Sequence, residues 1–466
     1  MHSIEVNPNV ANFIKSLRDI GYTFEVAVAD IIDNSISAGA SSIKIYAVQN
    51  PKPLFCVLDN GSGMNKDELI EAMRLSSKSP DDKRDINTLG RFGLGLKTAS
   101  FSQCKKLTVL TKKNNDIFAV RWDLDYISKN NKWLLLEVNA SEYKNIEIFN
   151  DFCKNSSSTL VIWEDIDKID KISEYLEILR NHLSLVFHQF LEGIDGIRKI
   201  KIYINNKLLL PFNPFNPTHD ATFIKSTELI KYYDKEIKVT PFILPHHSKV
   251  SNSEWEKYGG SDGYIKSQGF YLYRAHRLLV YGKWWGILKS SDATKLVRIK
   301  IEISNDQDEL WNIDVKKSIA NPISGLKDEL KRIALHSAKD GIKPFFTRGR
   351  KINDKSIIRF WNLVYEDNKP YFVINKENPM YQKLLDLLDF KSIEMLQIYL
   401  KALQAYIPLE AIQVQVQQNP HNFKQEDVIL EQDIIEILKY LQDIGLSEDE
   451  IKKIEIFKKH KELFNE

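Results

Sequence analysis

Three short polar elements interrupt core-forming segments within the first hundred residues, and their order limits the fold more than any other feature of the chain. The first is ADIIDNSISAGA, Ala29 to Ala40, where the carboxylates of Asp30 and Asp33 and the amide of Asn34 sit inside an apolar, helix-like pattern that leaves through Ala-Gly-Ala. The second is DNGSG, Asp59 to Gly63, a turn that stops the apolar run PLFCVLDN. The third is GRFGLGLK, Gly90 to Lys97, a glycine-rich segment that leads into a helix start. Carboxylates on a helix patterned for burial need a chemical reason, because an unpaired buried charge is costly.

The flanking pattern is α and β, segregated rather than strictly alternating. Phe13, Ile14 and Leu17, then Val26, Val28, Ile31 and Ile32, predict two helices parted at Gly21; SSIKIYAV alternates as a strand, and NKDELIEAMRL is an amphipathic helix with a polar entry. SSKSPDDKRDIN, Ser76 to Asn87, has almost no core formers and reads as a solvated loop. KLTVLTK, IFAVRWDL, KWLLLEV and STLVIWEDI predict successive antiparallel strands, and the segment from Ile172 predicts a long connecting helix. A second α/β region follows, with strands in KIKIYINNKLLL, EIKVTPFIL and LVRIKIEIS, a hairpin in GFYLYRAHRLLVYG, the loop WNIDVKKSIANP and a helix from Ser324 to Ala338. Beyond PFFTRGRKIND, YFVIN is extended and the remainder mostly helical; IQVQVQ, Ile412 to Gln417, fits a strand by alternation and a helix by its surroundings.

At 466 residues the chain exceeds what one core organises, so two or three domains are expected. A hydrophobic fraction of 43% with 27% charged residues is that of a folded protein. With 65 Lys and Arg against 63 Asp and Glu, a net +2 supplies no global attraction to polyanions, so any such contact must be a local patch. Cys56, Cys104 and Cys153 lack zinc or disulfide spacing and fit a reducing compartment. MHSIEVNPNV has no basic start followed by an apolar run, and no apolar stretch reaches about 18 residues. A cytoplasmic protein without a membrane partner is the expectation.

In this order and spacing, the three elements resemble the GHKL ATPase superfamily of gyrase, the large heat-shock chaperone, histidine kinases and MutL. The resemblance implies an α+β fold: a Bergerat-type ATPase α/β sandwich over residues 1–168, a connecting helix and transducer-like α/β domain over 169–345, and a mainly helical region over 346–466. It also implies ATP and Mg²⁺ as ligands. Asn34 then offers a neutral oxygen to Mg²⁺, a hard ion that prefers oxygen donors. Asp59 accepts from the exocyclic amine of adenine, Gly61 and Gly63 leave room for the base, and Met64 and Thr159 complete that side of the pocket. Gly90, Gly93 and Gly95, with Leu94 and Leu96 between and after them, turn backbone N–H groups to the phosphates at a helix start, and Lys97 adds a charge.

Asp30 takes the place of the general base, which in hydrolysing members is usually glutamate. Being a methylene shorter, it must sit closer to the water or act through another, so slow hydrolysis is expected. Asp33 reads either as a ribose-side or water-mediated contact or as a carboxylate on the helix surface, since successive helical positions diverge by about 100°.

WNIDVKKSIANP, Trp311 to Pro322, resembles the transducer loop of MutL, topoisomerase and MORC-type ATPases that presents a lysine to the γ-phosphate. Lys317 is the residue implied, with Lys316 as the alternative, and its role is to stabilise charge on the leaving phosphate. GFYLYRAHRLLVYGKWWG resembles the hairpin of MORC-like proteins, and WNLVYEDNKPYFVINKENP a segment of their prokaryotic relatives. Arg274, Arg277, Lys283, Trp284 and Trp285, and separately TRGRK from Thr347 to Lys351, mix cations with aromatic or flexible neighbours and could meet phosphates; for the two tryptophans, packing at a domain interface is the competing reading.

The expected function is an ATP-gated switch: an ATP-dependent homodimer that acts on DNA as a clamp or remodeller, with prokaryotic anti-phage defence as a setting. The competing expectations are a protein-directed chaperone-like or signalling ATPase, with a protein partner on the C-terminal region, and a nucleotide sensor with negligible turnover.

Overall fold

The computed structural model describes residues 3, 9–49, 51–75, 89–90, 94–169, 171–194, 196–260, 262–314, 317, 319–350, 357–366, 369–418 and 428–464. Ser76 to Asn87, Gly93 and Lys316 lie outside the described residues. Two compact units are present, Met1–Leu244 with Tyr258–Ala338 and Pro245–Lys257 with Lys339–Glu466.

The first unit begins with α1 (Val10–Arg18), whose N-terminus is capped by the Asn9 side chain, and α2 (Phe24–Ser37). Then come β1 (Ser42–Val48), β2 (Leu54–Asp59), α3 (Lys66–Met73), α4 (Gly95–Gln103), β3 (Cys104–Lys113) and β4 (Asp116–Asp123). Asn65 and Glu68 close a capping box on α3, satisfying two orphan N–H groups. The run continues with α5 (Leu124–Asn130), β5 (Leu136–Glu137), α6 (Glu147–Lys154), β6 (Ser158–Ile166), α7 (Ile172–Val186), α8 (His188–Glu192), β7 (Lys201–Ile204) and β8 (Lys207–Leu208).

Among the described residues these strands form one eight-stranded sheet in the order β5-β4-β3-β6-β2-β1-β7-β8, antiparallel except for the β1–β7 pair. Alternation along β1 sends Ile43, Ile45 and Ala47 to a core shared with α1, α2, α4 and α7, while the other face buries Leu58, Leu110 and Leu160 under Ile148 and Phe152 of α6. This two-faced burial explains why β2 is apolar from Leu54 to Leu58. The pair β7–β8 extends the sheet and Leu209 joins its core, so the first core runs past the boundary expected at residue 168.

Further strands are β9 (Phe223–Ile224), β10 (Glu228–Tyr232) and β11 (Lys235–Ile243), followed by α9 (Asn252–Gly259), α10 (Gly263–Ser267), β12 (Gly269–Arg274), β13 (Arg277–Lys283), β14 (Val297–Ile303) and α11 (Ser324–Arg350). The second sheet runs β10-β11-β14-β12-β13, with β9 on β11. Val239, Phe270, Leu272, Ile299 and Ile301 pack against Leu326, Leu330 and Ile333 of α11. Trp284 is buried in this core and Trp285 stacks on Phe270, so both serve the second core itself.

The second unit contains the hairpin β15 (Trp361–Glu366) and β16 (Lys369–Ile374), then α12 (Pro379–Leu387), α13 (Phe390–Ala405), α14 (Leu409–Gln418), α15 (Glu431–Asp443) and α16 (Glu448–Ile451). IQVQVQ falls inside α14, so helical context overrides its alternation. Ile434, Leu438, Leu441, Ile451 and Phe457 form the core of this unit, with Phe360 and Met380 against it. Among the described residues no helix is long and apolar enough to cross a membrane.

Candidate active site

The site is built around α2, which is buried along nearly its whole length between the first sheet, α4 and α7. Asp30 and Asp33 are buried with 2% and 1% exposure, one turn apart on the same side of the helix, whereas the next residue, Asn34, is exposed. Asp33 is therefore not a surface carboxylate. Both charges are answered from the second sheet region: Lys317 Nζ donates to Asp33 Oδ2 at 2.6 Å and to Asp30 Oδ1 at 3.1 Å, and Arg277 Nε donates to Asp33 Oδ1 at 2.9 Å. The Arg277 guanidinium also stands 4.0 Å from Asp30 Oδ1. Two buried carboxylates and two buried cations thus neutralise one another, the arrangement under which buried charge is tolerated.

The second oxygen of Asp30 accepts from the Tyr22 hydroxyl at 3.0 Å. Burial, and then the Asp30 charge, push the Tyr22 phenol far up, so it stays protonated as a donor. Burial pushes the Asp30 carboxyl above its ordinary value, Lys317 pulls it back and Asp33 pushes it up again. A carboxyl raised in this way is a better proton acceptor than an exposed aspartate.

Asp59 ends β2 opposite Thr159 of β6, which in turn pairs with Thr111 of β3. Its Oδ2 accepts from the Ser35 hydroxyl at 2.8 Å and its Oδ1 from the Gly61 amide at 2.9 Å, so the carboxylate is locked in direction. Burial raises its carboxyl, opposed by the Gly61 amide and the Ser35 hydroxyl. Gly63 has φ +63°, and a Cβ there would lie 2.0 Å from the Lys112 carbonyl oxygen. Glycine is the residue that this close crossing of β3 permits. The adjacent Met64 amide donates to Thr111 Oγ1 at 2.8 Å, which ties the turn to the sheet.

Gly95 opens α4 directly above Asp30: a Cβ added there would sit 3.7 Å from Asp30 Oδ2. The orphan N–H groups of this helix start therefore stand beside the buried carboxylates, next to Leu94 and Leu96, which are half-buried. Among the described residues, nothing lies within 4 Å of a Cβ added at Gly90. Lys97 is buried with its amine on the Ala72 carbonyl of α3 at 2.9 Å, so it braces two helices in this arrangement.

Arg277 was visible in the sequence only as one cation among several in its hairpin. Its placement follows from the two-residue turn Ala275-His276, with φ of +44° and +70°, which joins Arg274 to Arg277 as a cross-strand pair. A turn with two positive φ values matches the twist of a hairpin. His276 Nδ1 meets Gln189 Oε1 at 3.2 Å and Tyr273 hydroxyl meets His188 Nε2 at 2.8 Å, which seats the hairpin on α8. Arg274 grips Asp308 through two bonds, at 2.5 and 2.8 Å, and donates to the Leu89 carbonyl at 3.2 Å, immediately before Gly90. Tyr22, Ser35 and Thr111 were not singled out as site residues; Tyr22 stands just before the start of α2, so no helical spacing points from it to Asp30.

Residues 22–159 match a family model described as histidine kinase-, DNA gyrase B-, and HSP90-like ATPase. This stretch is a GHKL ATPase domain. The chain is 36% identical over 105 residues to the putative MutL protein homolog 1 of Schizosaccharomyces pombe, covering 22% of this chain and 15% of that protein. It is 36% identical over 93 residues to the ATPase MORC2B of Mus musculus, covering 19% of this chain and 9% of that protein. The DNA mismatch repair protein MutL of Pseudothermotoga lettingae is 38% identical over 87 residues, 18% of this chain and 16% of that protein. The aligned stretches thus span less than a fifth of these relatives' own lengths. Within the GHKL domain lie Asp30, Asp33, Asn34, Asp59 and the glycine-rich segment, whereas Arg277 and Lys317 belong to the region that follows it.

Proposed function

We propose that the chain is a Mg²⁺-dependent ATPase and conformational switch. One observation carries this reading: Lys317, from outside the GHKL domain, bonds both Asp30 and Asp33 inside it. A cation shared by two buried carboxylates can be drawn off by a stronger anion, and developing charge on a γ-phosphate is such an anion. Asp30, released from Lys317 and steadied by Tyr22, then accepts the proton of the attacking water. The donor set fits the substrate: Asp59 is directionally fixed at the strand end for an exocyclic amine, Gly61 and Gly63 keep the backbone bare, and Asn34 is the exposed neutral oxygen donor that would hold Mg²⁺. When bound, the metal would offset phosphate charge.

Departure of Lys317 loosens the grip of the second sheet region on α2, which links nucleotide state to conformation. We further propose that this change accompanies ATP-dependent homodimerisation, with turnover slow because Asp30 is short and already engaged. The relatives named DNA mismatch repair protein MutL support DNA as the partner, and anti-phage defence is a setting in keeping with the sequence's resemblance to prokaryotic MORC-like proteins. A clamp or remodeller on DNA is the form this would take.

The same ionic cluster favours one second reading, a nucleotide sensor that releases no phosphate, because the base is held by a cation. Phosphate release by wild type, Asp30→Ala and Asp30→Glu at saturating ATP and Mg²⁺ decides between them; no release by wild type above the Asp30→Ala background sinks the ATPase. A mass that stays monomeric in saturating non-hydrolysable analogue sinks the dimer. A DNA shift that strengthens with analogue and weakens with salt supports the DNA partner, and its absence favours a protein-directed switch.

A further inference from the structure

We propose that Arg277 is a positioning residue for ATP hydrolysis, the cation that stays on Asp33 so that Lys317 can leave. The role presupposes the ATPase activity proposed above. Four features support it. Arg277 is buried at 3% exposure and its Nε points at Asp33 Oδ1, 2.9 Å away, the oxygen that Lys317 does not use. Its guanidinium carbon lies 5.8 Å from the centre of the Phe187 ring, which orients the plane. Its Nη1 donates to the Leu278 carbonyl at 3.5 Å, and the turn that places it is pinned to Gln189 through His276. It stands 4.0 Å from Asp30, too far for a direct hydrogen bond and close enough to offset its charge.

Without Arg277, Lys317 would be the one cation among the described residues that faces both carboxylates, and moving it toward a phosphate would strand two buried charges. With Arg277 in place, Asp33 keeps a full partner on its Oδ1 when Lys317 leaves its Oδ2. Asp33 thus becomes the fixed anchor and Asp30 the group free to meet water. The two carboxylates of α2 have different jobs because only one of them has a permanent cation.

The test uses the full chain and measures phosphate release against ATP concentration. Arg277→Gln is expected to lower kcat about 100-fold, the scale of a misplaced reacting group, with KM for ATP within about threefold. Arg277→Lys, which restores charge without the planar fork, is expected to recover part of that loss. In an Asp33→Asn background the neutral side chain no longer needs a cation, so adding Arg277→Gln is expected to cost little more, a coupling that independent sites would not show. Should Arg277→Gln fail to fold, the comparison of Asp33→Asn with Asp33→Asn/Arg277→Gln still decides: a further large fall in kcat overturns the role. A folded Arg277→Gln with wild-type kcat also overturns it while leaving the ATPase reading intact. Wild type without phosphate release overturns both.

Discussion

The amine of Lys317 lies 2.6 Å from Asp33 Oδ2, joining residues 284 positions apart. This pair, the 3.1 Å contact to Asp30 and the 2.9 Å bond from Arg277 to Asp33 together bind the second sheet region to the GHKL helix α2. Lys317 adopts φ +55°, a conformation that non-glycine residues take at a cost on the order of 1 kcal/mol and that the two carboxylates offset.

Replacing Lys317 by alanine leaves two buried carboxylates to share Arg277. Unfolding free energy is expected to fall by about 3 kcal/mol, measured by urea titration without nucleotide. Phosphate release is expected to fall about 100-fold, because the cation that meets the developing charge is gone. Wild-type turnover in a folded Lys317→Ala protein would remove Lys317 from the chemistry.

Asp30→Asn keeps the shape of the side chain and the Tyr22 contact but removes the base. Nucleotide-analogue affinity is expected to change by less than about tenfold while phosphate release falls at least 100-fold, a general-base effect. Asp30→Glu behaves differently. With Asp30 at 2% exposure and Gly95 packed against its carboxylate, an added methylene crowds the site, and a loss of about 1–3 kcal/mol in nucleotide-free stability is expected by thermal melting.

Gly63→Ala places a Cβ 2.0 Å from the Lys112 carbonyl oxygen at φ +63°. The turn must move, so a stability loss of more than about 2 kcal/mol and weakened binding of ATP analogue are expected by melting and titration calorimetry. A normal melting temperature with normal affinity would show that the turn bends freely.

Acid should weaken the first unit. Burial, then the Arg277 guanidinium, lowers the His182 pKa from 6.5 to about 4, and burial also lowers that of His188. The unfolded chain therefore binds protons that the folded chain refuses between these values. The stability that His182 contributes is complete above about pH 6.5 and is lost as the pH falls toward about 4. Urea midpoints at about pH 7.5 and about pH 5 are expected to differ less in His182→Gln than in wild type.

Much of the first sheet was legible because its signals are local. β1 alternates in period two, β2 ends at the DNGSG turn, and α3 carries its own capping box. KWLLLEV was the weaker case: apolar enough for a strand, it pairs only at Leu136 and Glu137, since the sheet edge offers β4 alone as a neighbour. IQVQVQ alternates yet is helical, because strand alternation counts only where another strand is available.

Asp30, Asn34, Asp59 and the glycines stood out as residue types at telling spacings, and the GHKL domain match lies over the same stretch. Arg277 did not, because an arginine in a hairpin reads alike whether it ends in solvent or on a carboxylate 244 positions earlier. Asp33 was similarly undecided between nucleotide contact and surface charge. Its two cations come from a turn and a loop far along the chain, and no periodicity encodes which distant side chain will arrive.

The sequence by itself determined the α+β class, the acidic helix, the strand-ending aspartate and the glycine-rich helix start, all of which depend on neighbours within a few turns of chain. Only the tertiary structure decided that Asp33 belongs to Arg277, that Asp30 shares Lys317 with it, and that Lys97 braces α3. Those pairings depend on how two sheets place their loops against α2, and buried charges accept whichever partner the fold delivers.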